Sequence, residues 1–300
     1  MQKSLTAGQI KQILGFLRDV LIVIGLGFYQ AQAFINDKTR VDKFKEDFKA
    51  LLNASLKVNP YIKERVKQAW FYPKNWKVKN VTEQLAKLTE LFPGIDLSQV
   101  EALVAKVTLQ KWHDGIAVLP KLSFLGLLWG IADPYGKGYG LICEKLFELI
   151  AGSRAFHNYR AGQMNDQYIR IMEQVREQLK KLEAETPGDV LVLAFDFGKT
   201  YAGYSPRNAR HEALNNNQLP LITAQVASLL LTMPDRLTAW EQLFIDCSGD
   251  EWDWDAVGRW LYSVCFRFDD GRLRFDSGNA DAPSDDYGSV VASLGSVPGV

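Results

Sequence analysis

The chain reads as an α+β protein, with a multi-helix N-terminal region followed by a smaller mixed region holding a short antiparallel sheet. Three observations predict this. Apolar residues recur at helical spacing through the first part of the chain, as in Val41, Phe44, Phe48, Leu51 and Leu52. Residues 260–268 alternate strictly, with Trp260, Tyr262, Val264, Phe266 and Phe268 on one side, and Asp270-Gly271 follows as a hairpin turn. Third, the chain changes character at Pro187-Gly188. Residues 1–187 carry 27 basic and 19 acidic side chains; residues 188–300 carry 8 and 16, with Lys199 their one lysine. The neutral total therefore hides two regions of opposite charge.

The expected organisation is a predominantly helical region over 1–187, a β-containing region over 188–276 and a flexible acidic tail over 277–300. Thr6 and Gln9 form a capping box for the first helix. Residues 37–57 make an amphipathic helix. Asn59-Pro60 is read as an N-cap and N1 pair opening a helix to about residue 69. Residues 71–79 form a loop, a helix over 82–92 stops at Pro93-Gly94, and Ser98 caps the next. Residues 120–131 and 140–151 are apolar enough to be buried helices, and 165–185 is a longer amphipathic one. Beyond Pro187, residues 190–197 have strand length, with 200–204 as a hairpin return. Residues 221–231 and 237–244 read as helices. After Arg274 no basic residue remains, and Gly, Ser, Asp and Pro dominate, which is why a tail is expected there.

Composition excludes some chemistry. Cys143, Cys247 and Cys265 are odd in number and scattered, against a disulfide framework and in keeping with a reducing cytosol. His113, His157 and His211 show no zinc-ligand spacing. No cofactor is predicted from the residues.

Residues 13–35 form the most apolar segment. Its unbroken run covers about ten residues and is flanked by Arg18, Asp19, Gln30 and Gln32, so a buried core helix is expected and membrane insertion or attachment is the alternative. The string GFLRDVLIVIG resembles the start of short N-terminal anchors on some bacterial membrane proteins. That resemblance implies attachment at the inner face of the cell membrane, with the lysines that follow on the cytoplasmic side.

Two groups of residues are candidates for chemistry. Asp196, Asp246 and Asp250 stand in or beside apolar runs, where a charge is costly unless paired or metal-bound. Brought together they would hold Mg²⁺ and hydrolyse a phosphodiester. The string LAFDFGKTYAGYS is similar to the first strand of RNase H-like nucleases of the Holliday-junction-resolvase type, and to the phosphate-binding hairpin of actin-like ATPases. Either resemblance makes Asp196 the matching acid. The structural alternative is a strand-end Asp bonded to turn backbone, or paired with Lys199 or Arg207. The binding candidates are Trp70, Tyr72, Lys74 and Trp76, where aromatics interleave with lysines, and Arg207, Arg210 and His211, a polar cluster suited to an anion. Without a catalytic constellation in the sequence, the expected activity is binding: an intracellular adaptor or regulatory protein with a protein partner, nucleic acid reaching the basic region as a further option. A metal-dependent nuclease and a membrane-attached protein are the alternatives.

Overall fold

A computed structural model describes residues 6–25, 27–56 and 59–294. The chain divides into two compact units, residues 1–58 and 59–300. The change of character at Pro187-Gly188 therefore falls inside the second unit.

The first unit is helical. Helix α1 (Ala7–Val23) starts as expected: Thr6 Oγ1 accepts from the Gln9 amide at 3.3 Å, and Gln9 returns its side-chain oxygen to the Thr6 amide at 2.9 Å. It ends at Ile24 and Gly25, the latter at a φ of 69°. Helix α2 (Phe28–Asn36) and helix α3 (Lys38–Leu56) follow. Phe34 meets Phe44 edge-on at 5.6 Å, and Phe44 stacks on Phe48 at 5.8 Å. The expectation of a core helix at residues 13–35 is overturned. No described side chain of this unit is buried. Phe16, Val23, Phe28 and Tyr29 are 63%, 85%, 75% and 86% exposed. The segment is two helices broken at the Gly25 and Gly27 turn, and no helix among the described residues is long and apolar enough to cross a membrane.

The second unit is α+β, with sheets larger than the short one expected. Its elements are α4 (Val81–Leu91), α5 (Val100–Val104), β1 (Gly115–Pro120), α6 (Leu122–Trp129), α7 (Tyr139–Ser153), β2 (Phe156–Asn158), β3 (Ile169–Ile171), α8 (Glu173–Glu185), β4 (Val190–Asp196), α9 (Pro206–Asn215), β5 (Gln218–Pro220), α10 (Thr223–Thr232), β6 (Phe244–Trp252), β7 (Tyr262–Asp269), β8 (Arg272–Asn279), β9 (Tyr287–Ser289) and β10 (Val291–Ser293).

One sheet is four-stranded and antiparallel, in the order β1-β4-β10-β5. Every residue of β4 is buried, which explains its continuous apolar run. The other sheet runs β2-β8-β7-β6-β3, with β9 beside the start of β6. Its β7–β8 hairpin turns on Asp270 and Gly271 at φ 48° and 72°, the two positive values a type I′ turn needs. Alternation splits this sheet into two faces. Ile245, Val264, Phe266, Leu273 and Phe275 are buried on the apolar face, where Phe147 of α7 packs on Phe266 and Phe275 at 5.9 and 4.6 Å. Asp246, Cys265 and Asp276 sit side by side in register on the opposite face.

Several expected elements differ. Residues 277–294 are no tail: β8 reaches Asn279, and β10 is an interior strand of the first sheet, with Val290, Val291 and Ala292 fully buried. Their few apolar side chains suffice because neighbouring strands supply the rest of the core. The helix expected after Asn59-Pro60 is absent, since the Asn59 side chain accepts from the Tyr61 amide in a turn and donates to Asn208 and Glu212 of α9. The expected return at 200–204 is a turn with single bridges to Arg65 and Gly288. Residues 237–243 are irregular because the Gln242 side chain accepts from the Thr238 and Ala239 amides and Glu241 is at a φ of 68°. The helix expected over 165–185 gives up its front: Ile169 and Ile171 are buried and Arg170 exposed, the alternation of a strand pairing β6.

Candidate functional site

The three candidate carboxylates occupy three separate settings. Asp196 ends β4. Its Oδ1 accepts from the amides of Gly198 and Thr200 at 2.9 and 3.0 Å, a strand-end turn, while Oδ2 is buried without a partner among the described residues. Burial first, then the neighbouring Asp114, pushes this carboxyl up to about 6. Asp114 precedes β1 and was invisible to sequence reasoning because its partners lie far along the chain. It accepts from the Tyr72 hydroxyl at 2.7 Å, the Phe197 amide at 2.8 Å and Lys199 Nζ at 2.9 Å. Behind them the fully buried Arg236 guanidinium lies 4.1 Å from the centre of the Tyr72 ring and donates to the carbonyls of Leu243 and Phe197 at 3.0 and 3.2 Å. A cleft of about 640 Å³ opens beside this network, bordered by Trp76, Lys77, Lys79, Asn80, Asp114 and Lys199.

Asp250, in β6, is buried and accepts from the Tyr139 hydroxyl at 2.7 Å and the Thr223 amide at 2.6 Å. It thus serves the first turn of α10, where a negative end is favoured. Burial pushes its carboxyl up to about 7.

Asp246 is different. It is 5% exposed, and neither oxygen has a hydrogen-bonding or charged partner among the described residues. It lines a pocket of about 200 Å³ on the polar face of the second sheet, with Ser263, Cys265, Arg267, Asp276 and Tyr287. The Ser263 hydroxyl is buried and has no hydrogen-bond partner among the described residues. Cys265 Sγ lies 4.0 Å from the Tyr287 hydroxyl, and burial pushes both groups upward, so the thiol stays protonated. Arg267 and Arg160 are taken up by Asp276, at 2.9 and 2.5 Å. Burial pushes the Asp246 carboxyl up to about 8, with nearby Asp286 adding to it.

Asp196 and Asp246 thus face different neighbours, Asp114 in one case and the Cys265 pocket in the other. Among the described residues no group of three or more His, Cys, Asp or Glu is arranged to hold a metal ion.

The aromatic-basic loop turns its rings inward. Trp70 packs on Trp240 and Phe244 at 5.0 Å each, and Trp76 on Phe197 at 5.8 Å, while Lys74 is exposed. The polar cluster is not a loop but α9, opened by Ser205 at the N-cap and Pro206. Its members are dispersed. Arg207 binds Glu64 and lies 4.6 Å from the Tyr61 ring centre. Arg210 is buried, donating to the carbonyls of Ser248 and Asp250 and pairing with Glu251 at 3.1 Å. His211 is edge-on to Tyr61, with Nδ1 3.0 Å from Asn215 Nδ2. Arg207 and Arg210 brace residues 59–65 and β6, and His211 packs on Tyr61, rather than converging on an anion.

The fold and pocket define an α+β protein with a buried carboxyl that has no partner among the described residues and faces a small pocket. No protein-family model, curated protein or solved structure matches the chain.

Proposed function

We propose that the protein is a binding protein attached to a lipid surface by α1 and α2, with its second unit as the binding body. The observation that carries this reading is the uncovered apolar surface of the two helices. At 100° per residue, Ile10, Ile13, Leu14, Leu17, Val20, Leu21 and Ile24 fall on one side of α1, and Lys11, Gln12, Arg18 and Asp19 on the other. Exposed apolar surface of this extent is costly in water and marks a surface that meets something else. A bilayer interface suits it better than a spanning arrangement. Helix α1 has 17 residues, about 26 Å of rise, against a hydrocarbon core of about 30 Å. Residues 1–58 carry nine basic and five acidic side chains, a balance that favours anionic headgroups.

The test is flotation of the full-length protein with vesicles of phosphatidylcholine and phosphatidylglycerol. The wild type is expected in the lipid fraction. Val20→Asp together with Leu14→Asp is expected to leave it at the bottom, with the thermal midpoint of the second unit unchanged. A wild-type protein that stays at the bottom, or forms discrete oligomers through α1 instead, sinks the lipid reading.

A further inference from the structure

The polar pocket of the second sheet carries an inference independent of membrane attachment. Its walls include Asp246 of β6; Ser263, Cys265 and Arg267 of β7; Asp276 of β8; Tyr287 of β9; and, outside the sheet, Pro206 of α9 with Ala282 and Ser284 of the β8–β9 connection. Strand register sets Asp246, Cys265 and Asp276 in one row, so this part of the pocket is built on backbone held by ladder hydrogen bonds.

The chemistry of the walls is lopsided. A buried carboxyl is expensive unless it finds hydrogen bonds or an opposite charge. Asp246 has neither among the described residues, although it is 95% removed from solvent by its 5% exposure. Ser263, 2% exposed, lies on the same face, its hydroxyl without a partner among the described residues. The nearby cations Arg267 and Arg160 both bind Asp276 through a terminal nitrogen, while the Nε of each is buried with no hydrogen-bond partner among the described residues. Asp286 adds negative charge, and the Cys265 thiol and Tyr287 hydroxyl stay neutral. What Asp246 itself lacks is a positive partner with hydrogen-bond donors, since the lining cation Arg267 is bound to Asp276.

We propose that this pocket binds a small organic cation, a primary ammonium, through the Asp246 carboxylate, with the Ser263 and Tyr287 hydroxyls accepting its remaining N–H groups. Size supports a small ligand: about 200 Å³ holds roughly seven water-sized groups, below the range of drug-sized sites. A metal ion is disfavoured by the donor set, since no third ligand of the right type joins the carboxylate among the described residues.

Ligand and proton compete for the same carboxylate. In the empty pocket Asp246 is held largely protonated at neutral pH; an ammonium favours the ionised form, so binding releases a proton. Affinity therefore rises with pH, about tenfold per unit, until the carboxyl is ionised. Asp276 with Arg267 and Arg160, and Asp286 beside the pocket, set the level of this titration without reversing its sign.

Calorimetric titration of the full-length protein with ethanolamine, against ethylene glycol as a neutral match of similar size, tests the proposal. Ethanolamine is expected to bind at one site and more tightly than the glycol, with affinity climbing from about pH 6 to about pH 8. Asp246→Asn keeps the volume and removes the charge; it is expected to lower ethanolamine affinity tenfold or more and to abolish the pH dependence, leaving glycol binding unchanged. Ser263→Ala, which keeps the carboxyl, is expected to lose affinity several-fold and serves if the Asn variant does not fold. Equal affinity for amine and glycol, no binding by the wild type, or amine binding untouched by both substitutions would overturn the proposal.

Discussion

Asp246 sets the pH behaviour of the fold as well as the character of the pocket. Its folded carboxyl is pushed up to about 8, against an unfolded value near 4. The folded state therefore keeps a proton that the unfolded chain gives up. The sign follows: this stability is fully present below about pH 4 and is lost as pH rises to about 8. Asp250, at about 7, and Asp196, at about 6, act in the same direction over narrower windows. Asp246→Asn is expected to flatten the profile, raising the urea midpoint near pH 8 while leaving it almost unchanged near pH 4. An unaltered slope in the variant would place the titration elsewhere. Asp246 was visible in the sequence as an acid inside an apolar run. That it lacks a partner among the described residues was not, because a partner's absence depends on every side chain that tertiary structure places around it. Ser263, Cys265 and Tyr287 were silent for the same reason: only strand register sets them beside Asp246.

Among the elements, the closing strands carry the main lesson. The helices over 82–92, 140–151 and 221–231 and the β7–β8 hairpin were legible because period, caps and turn residues are local signals. β1, β5, β9 and β10 were not, being short strands whose apolar side chains make no periodic pattern. They are ordered by their neighbours. The clearest case is the crossing of the β4 exit with β9, where Gly198 and Gly288 meet backbone to backbone. A Cβ on Gly288 would lie directly against the Gly198 carbonyl, and Gly198 itself has a φ of 115°, a conformation other residues avoid. Gly288→Ala is expected to destabilise the second unit by about 2–3 kcal/mol, read from denaturant midpoints. A loss below about 0.5 kcal/mol, the level of an ordinary surface change, would show that the crossing gives way freely. The hairpin return expected over residues 200–204 is replaced at this point by a turn, in which Asp196 bonds to the Gly198 and Thr200 amides.

For the molecule as a whole, the two units differ in kind. Residues 59–300 hold an extensive buried core, while none of the described side chains of residues 1–58 is buried. A fragment of residues 59–300 is expected to melt within a few degrees of the full chain and to lose vesicle flotation entirely. A large drop in its melting temperature would mean that the first unit supports the second, and continued flotation would move the lipid-binding surface off α1 and α2. The charge contrast across Pro187-Gly188 does not mark a structural division. β1, from the basic part, pairs with β4, from the acidic part, along six consecutive residues. Charge along a chain reports composition; pairing in a sheet reports which apolar faces must share a core.

From its amino-acid order alone this chain settled its α+β class, most of its longer helices and the β7–β8 hairpin, because those depend on interactions within a few residues. Tertiary structure decided the rest: that the apolar opening segment lies uncovered, that residues 291–293 of the apparent tail form an interior strand, and that one aspartate among three faces a pocket with no partner among the described residues. Burial and pairing are relations between distant residues, and no local pattern carries them.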